Sequence, residues 1–169
     1  MHRVPSVIPK PSEPFTQLRR VSFGDADAAG TVFFANISRY CMEAIELWFV
    51  DRLNIDWFRL GVDRGIGTPF VRVELDFLVA ATPRDTLAIA VKVEELGRSS
   101  VVFSVKGMIA ESKRLCWDGR FKCVFIDTKT VRGIPIPDGY REAMDHDARL
   151  GADSPAGDPA KPGPNEGSR

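Results

Sequence analysis

Four stretches in the second half of the chain carry apolar residues on a single parity, and together they leave few folds open. In Val71, Val73, Leu75, Phe77 and Val79 the odd positions are apolar, while Arg72, Glu74 and Asp76 between them are charged. Leu87, Ile89, Val91 and Val93 repeat the pattern, as do Val101, Phe103, Val105 and Ile109, and then Leu115, Trp117, Phe121, Cys123 and Phe125. A period of two puts every second side chain on one face, so each stretch reads as a half-buried strand. Asp118-Gly119 has the composition of a hairpin turn. The apolar parity nevertheless passes through it without a slip. The last stretch therefore reads as one long strand, in which Gly119 marks a bulge or a close backbone approach. Glu111-Ser112-Lys113 serves as the turn before it.

Upstream the period changes. Ile37, Tyr40, Cys41, Ala44, Ile45, Trp48 and Phe49 recur at the spacing of one helix face, which predicts a helix to about Leu53, with Asn36 or Ser38 as its cap. Met42, Leu47 and Val50 interrupt the opposite face among Glu43, Glu46 and Asp51. Such a helix is wanted by more than one surface: the sheet, and a partner subunit or a ligand pocket. A short helix over residues 56–62 and a first strand over residues 16–23 complete an α+β domain. About five strands, antiparallel because their connections are short, wrap one long helix.

Proline marks the limits of that domain. Pro5, Pro9, Pro11 and Pro14 crowd the start, and Pro155, Pro159, Pro162 and Pro164 the end, of the twelve in the chain. Residues 151–169 hold no apolar side chain larger than alanine and cannot offset their own ordering entropy. The expected organisation is a flexible tail over 1–14, one domain over 15–147 and a disordered tail over 148–169. Lys plus Arg and Asp plus Glu both number 23, so net charge gives no argument for a nucleic-acid or anionic-membrane binder. No apolar run reaches the roughly 18–20 residues of a membrane span, and the N-terminus lacks the pattern of a signal peptide. Cys41, Cys116 and Cys123 are odd in number and lack metal-ligand spacing, which points to small core residues in a reducing cytoplasm.

The candidates for chemistry are few. His2 and His146 both lie toward the expected tails, so a His-based nucleophile pair has no base inside the fold. Neither a phosphate loop nor a dinucleotide fingerprint is present, and no cofactor or metal is expected. What stands out is Gly24-Asp25-Ala26-Asp27-Ala28-Ala29-Gly30, between the first strand and the helix. Two carboxylates two residues apart fit Asx-type turns and helix-start charges. They also fit a carboxylate placed beside the free N–H groups of a helix N-terminus, where an oxyanion is stabilised. That pairing is a minimal acyl-transfer site without histidine.

The stretch from Phe23-Gly24-Asp25-Ala26-Asp27 through Gly30-Thr31-Val32-Phe33-Phe34-Ala35-Asn36 resembles the signature of the 4-hydroxybenzoyl-CoA thioesterase family, of hot-dog fold. Similarity continues through Gly67-Thr68-Pro69, residues 73–78 and 95–100, Phe125-Ile126-Asp127 and Ile134-Pro135-Ile136-Pro137. The resemblance implies hydrolysis of an acyl- or aroyl-CoA thioester, with Asp27 as nucleophile or general base. It implies that the backbone N–H at Phe34 polarises the thioester carbonyl, and that Arg98, Ser99 and Ser100 lie near the CoA phosphates. Trp57 and Thr68 match pocket positions, and the family's active sites lie at a dimer interface, so a homodimer or homotetramer is expected. Relatives often carry Tyr or His where this chain has Phe34. Met42 stands where the 4-hydroxybenzoyl enzyme has an acid, with Glu43 one step, about 100°, further round the helix, and these two, with Phe34 and Trp57, are the expected substrate-binding residues that set acyl choice. Substitution at Phe34 leaves a second reading in view, a hot-dog module that binds acyl-CoA without cleaving it.

Overall fold

A computed structural model describes residues 8–152. Its main sheet is built from β1 (Phe15–Arg20), β3 (Phe70–Phe77), β4 (Thr86–Leu96), β5 (Ser100–Ile109) and β6 (Leu115–Val124), in the order β1-β4-β5-β6-β3. All neighbours are antiparallel. β2 (Ile66–Gly67), β7 (Ile126–Asp127) and β8 (Arg132–Gly133) form a small second sheet. Across the main sheet lies α1 (Phe34–Leu53), followed by α2 (Trp57–Arg64), and the chain closes with α3 (Asp138–Ala152). The architecture is α+β, as the change of period from helix to strands requires.

The parity of the strands decides which face the helix covers. Leu87, Ile89, Val91 and Val93 of β4, Val101, Phe103 and Val105 of β5, and Trp117, Phe121 and Cys123 of β6 are all buried. They meet Tyr40, Cys41, Ala44, Ile45, Trp48 and Phe49 of α1 in one core. Trp48 stands edge-on to Phe103 with ring centroids 5.0 Å apart. Each such side chain contributes about 1.5–3 kcal/mol relative to an exposed one. β6 runs unbroken through Asp118-Gly119, and Gly119 faces Leu75 with no bulge there. A Cβ at Gly119 would lie 2.7 Å from Leu75 Cδ2, so of the two expectations for this glycine the close approach is the one observed.

Four features differ from expectation. The N-cap of α1 is Phe33, without a side-chain cap bond, rather than Asn36 or Ser38. Asn36 instead turns its amide back to the Asp25 carbonyl. On β3, Val73 and Phe77 keep the apolar parity but stay exposed on an edge strand, while Val71 falls at a register shift between Phe70 and Arg72 and is exposed as well. α3 had no counterpart in the periodicity, and it runs to Ala152, past the boundary expected at 147. Residues 8–14 also hold the fold: Ile8 packs on the core, and the Glu13 carbonyl accepts Arg52 Nη2 at 2.6 Å. His146, on α3, places Nε2 2.8 Å from the Pro11 carbonyl oxygen. The expected tails over 1–7 and 153–169 lie outside the described residues. Among those described, no helix is long and apolar enough to cross a membrane.

Candidate active site

The Gly24–Gly30 stretch folds into two parts with different duties. Phe23–Asp25 is a single 3-10 turn that buries Asp25 to 8% exposure. From Ala26 the chain enters a tight hairpin closed by a bridge to Val32. Asp27 N–H donates to the Thr31 carbonyl at 2.9 Å, and Gly30 N–H donates to the Asp27 carbonyl at 3.0 Å. Gly30 supplies the positive φ of +77° that this turn needs. The Asp27 side chain is exposed, and its Oδ1 accepts the Ala29 N–H at 2.9 Å. That is an Asx turn, the plain reading of the residue, yet it also holds the carboxylate in one orientation. Val32 N–H pins the far limb of the hairpin to the Ala81 carbonyl at 2.9 Å.

The hairpin leads directly into the N-terminus of α1. Phe33 N–H is taken by the Asp25 carbonyl at 2.9 Å. Phe34, the first helical residue, has no intrahelical acceptor for its own N–H. The Phe34 ring is 61% exposed and lies against Phe77 on β3, with centroids 6.4 Å apart. Met42 and Phe49, seven residues apart, share one side of α1. Phe49 stacks on Trp57 at 5.9 Å and Trp57 on Phe70, at the start of β3, at 5.8 Å. Phe34 and Phe77, in contact, and Val73 and Met42 are all exposed apolar side chains on α1 and β3.

Glu43 is placed otherwise. It pairs with Arg19 of β1 and, at 3.0 Å, with Arg39. The one-residue offset from Met42 turns it into a charged cluster. Arg39 Nη2 bonds Asp25 Oδ1 at 2.6 Å, and the Arg19 guanidinium stacks over the Tyr40 ring at 3.9 Å. Burial pushes the Asp25 carboxyl up, but the Tyr40 hydroxyl, the Ser22 amide and Arg39 outweigh it and hold it below 3.8. Desolvation, with the Asp25 charge beside it, pushes the Tyr40 phenol up to about 12. Asn36, expected as a cap, and Tyr40, expected in the core, thus stand with Arg19 and Arg39, which the sequence did not mark, in one charged cluster at the site. The available signal was the Asn36, Arg39 and Tyr40 spacing of three and four, which sets them round one side of the first turns of α1.

The remaining candidates gather at the other end of the molecule. Arg98 is exposed in the turn between β4 and β5, with Ser99 and Ser100 following. That turn is firmly held: Ile136 N–H donates to the Arg98 carbonyl at 2.9 Å, Phe125 N–H donates to Ser99 at 2.7 Å, and Arg141 of α3 donates to the Gly97 carbonyl. Thr68 is on the same end, since the neighbouring Pro69 carbonyl accepts Val124 N–H and Ser100 pairs with Val124. Trp57 joins it through Phe70. The Asp27 hairpin, by contrast, is tied to Ala81 and follows Val21, whose N–H donates to Asp85 just before β4. The eleven residues of β4 separate the two groups, roughly 30 Å at about 3.3 Å per residue. One chain carries Asp27 and Phe34 at one end and Arg98, Ser99, Ser100 and Thr68 at the other, with Met42 between. Among the described residues, no group of three or more His, Cys, Asp or Glu is arranged to hold a metal.

Known proteins share this fold. The chain is 36% identical to the 4-hydroxybenzoyl-CoA thioesterase of Pseudomonas sp. strain CBS-3 over 88 residues, which is 52% of this chain and 62% of that enzyme. The structure of that thioesterase superposes with a TM-score of 0.68 over 78% of this chain and 99% of its own. A 1,4-dihydroxy-2-naphthoyl-CoA hydrolase of Thermosynechococcus vestitus is 33% identical over 128 residues, 71% of this chain and 81% of that protein. A thioesterase-superfamily structure from Jannaschia sp. CCS1 is 33% identical with a TM-score of 0.73, covering 82% of this chain and 96% of that one. The sheet wrapped on α1 is thus the hot-dog fold of these enzymes. The family model of the thioesterase-like superfamily matches residues 21–144, a span that takes in the Asp27 hairpin, α1, the whole sheet from β3 on and the Arg98 turn, and the chain belongs to that superfamily.

Proposed function

We propose that this thioesterase hydrolyses an aroyl-CoA, such as a benzoyl- or hydroxybenzoyl-CoA, to the free acid and CoA, with Asp27 as the catalytic carboxylate. The observation that carries the reading is the exposed Asp27 side chain, fixed on a short hairpin that leads into α1 at the exposed Phe34–Phe77 ring pair. The acyl group lies along Phe34, Phe77 and Met42, and the Phe34 N–H donates to the thioester oxygen as negative charge develops there. Asp27 then attacks the carbonyl carbon, expelling the CoA thiolate and leaving a mixed anhydride that water cleaves. Alternatively it takes a proton from the attacking water. The named substrates of the relatives, hydroxybenzoyl- and dihydroxynaphthoyl-CoA, support an aromatic acyl group. Met42 favours an apolar, adaptable pocket over one that bonds a 4-hydroxyl. Glu43, one step round the helix, is engaged by Arg19 and Arg39.

The phosphates of CoA fall to Arg98, Ser99 and Ser100. Because these lie at the far end of the same chain, a complete site needs a second copy. β3 is an edge strand with Val71, Val73 and Phe77 exposed. Antiparallel pairing of two β3 edges about a two-fold axis sets the Phe77 end of one chain beside the Phe70 end of the other. The Asp27 hairpin of each copy then faces the Arg98 turn of its mate. The working form is a homodimer or a pair of them, acting in the cytoplasm without a cofactor.

The test is thiol release from a panel of aroyl- and fatty acyl-CoAs by the parent, Asp27→Asn and Asp27→Ala. Loss of at least about a thousandfold in kcat in both variants, with the parent preferring aroyl esters, supports the reading. Near-parent kcat in both removes Asp27 from the chemistry. Recovery of intact ester from the parent, followed by mass spectrometry, selects the binding module instead.

A further inference from the structure

We infer that Asp25, Asn36 and Arg39 are positioning residues for Asp27: together they set the angle and depth at which the Asp27 hairpin stands against the N-terminus of α1. The inference rests on the reading of Asp27 given above. Asp25 is the last residue before the hairpin and Phe33 the first after it, and the Asp25 carbonyl joins the two by accepting Phe33 N–H at 2.9 Å. The same oxygen accepts Asn36 Nδ2 at 3.0 Å, a second donor reaching back from the first turn of α1. The carboxylate adds two more ties, to Ser22 N–H at 3.3 Å and to Arg39 Nη2 at 2.6 Å. Arg39 is in turn braced by Glu43 at 3.0 Å.

One residue thus connects the end of β1, the root of the hairpin and the first turns of the helix. A plain turn has no need of this. An exposed Asn or Ser would satisfy Ser22 N–H, whereas Asp25 is desolvated and matched to a guanidinium fourteen positions on. Burying a charge is costly unless it is paired and bonded, and here the pair spans the two elements whose relative placement matters. Asp27 lies only two residues beyond the anchor. A shift of the anchor therefore reaches the Asp27 carboxylate nearly undiminished. An error of about 1 Å in a reacting group costs about a hundredfold in rate. None of the three side chains lies on the Arg98 end, so CoA binding is spared.

The experiment compares Asp25→Asn, Asn36→Ala, Arg39→Gln and the Asp25→Asn/Arg39→Gln pair with the parent, and includes Asp27→Asn in the same series. Expected is a fall in kcat of about ten- to a hundredfold in each single variant with KM within about twofold. The double variant should be no slower than the worse single one, because both remove the same tie. Arg39→Lys, which keeps the charge and shortens the reach, should recover part of the loss. Melting temperatures are recorded throughout. Lower melting temperatures with kcat within about threefold of the parent in Asn36→Ala and Arg39→Gln overturn the inference, leaving these residues purely structural. Should Asp25→Asn fail to fold, those two variants still decide it. Parent-like kcat in Asp27→Asn instead overturns the reading of Asp27 itself, so the two failures are told apart.

Discussion

Replacing Asp147 with alanine tests what fastens α3 to the sheet. Asp147 is 2% exposed and Arg52, on α1, 4% exposed. Asp147 Oδ1 accepts Arg52 Nε at 3.0 Å, and Oδ2 accepts Val93 N–H at 3.1 Å. Val93 lies beyond the reach of β1, whose pairing with β4 begins at Phe15 opposite Val91. The carboxylate thus stands in for a strand that is not there. Breaking a buried ion pair from one side costs about 3–5 kcal/mol. Arg52 keeps the Asp51 carboxylate at 2.7 Å and the Glu13 carbonyl at 2.6 Å, which argues for the lower end. The orphaned Val93 amide adds at least about 1 kcal/mol. The sum, about 4 kcal/mol, is a large part of the roughly 5–15 kcal/mol that hold a domain together. At about 2–4 °C per kcal/mol for this size, the melting temperature should fall by roughly 8–16 °C. Urea and thermal unfolding followed by circular dichroism, at one protein concentration, would measure it. Leucine at both Arg52 and Asp147 should restore much of the loss, since no buried charge is then left alone. A single Asp147→Ala variant within about 1 kcal/mol of the parent refutes the account.

Three further outcomes follow from the core and the charged cluster. Gly107→Ala should destabilise by about 3 kcal/mol or more in the same melts, because a Cβ there would sit 2.1 Å from Trp117 Cζ2 in a fully packed core. Burial pushes the Cys41 and Cys123 thiols up to about 12, so native protein should resist iodoacetamide at these positions while the urea-unfolded chain takes up label at all three cysteines, read by mass spectrometry. Asp25 has a folded pKa below its ordinary 3.8, so its contribution to stability is complete above that value and disappears as pH falls through the folded one. Asp25→Asn should accordingly flatten the acid limb of a stability-against-pH curve below about pH 4, and an unchanged limb would count against the pairing with Arg39.

How much of this was legible beforehand depended on where the determining contact lay. β4, β5 and β6 were readable because their inward residues enter one core with α1, and Gly119 could be kept inside β6 because parity is a local property. β3 was recognisable as a strand but not as an exposed one, since edge position is set by the sheet order and not by the strand itself. α3 escaped because its buried face, Tyr140, Met144 and Asp147, contains a carboxylate that interrupts the apolar spacing; only Arg52, 95 residues away, makes that face coherent. At the site, the Asp-x-Asp pair was visible, yet the division of labour within it was not. The buried Asp25 and exposed Asp27 differ through Arg39 and the hairpin, neither of which the pair's spacing encodes. Glu43 was placed within one helical step of its neighbour Met42, and that step carries it into a different environment.

The separation of Asp27 from the Arg98 turn along β4 has a consequence for mixed populations. If each active site draws its carboxylate from one subunit and its phosphate ligand from the other, the two lesions Asp27→Asn and Arg98→Glu are complementary. A dimer carrying one of each concentrates both defects in one site and leaves the opposite site whole. Unfolding and refolding the two inactive proteins together in equal amounts should then regenerate about a quarter of the parental sites by random pairing, assayed at low substrate. Protein that keeps both halves of its site within one subunit would stay inactive at every mixing ratio.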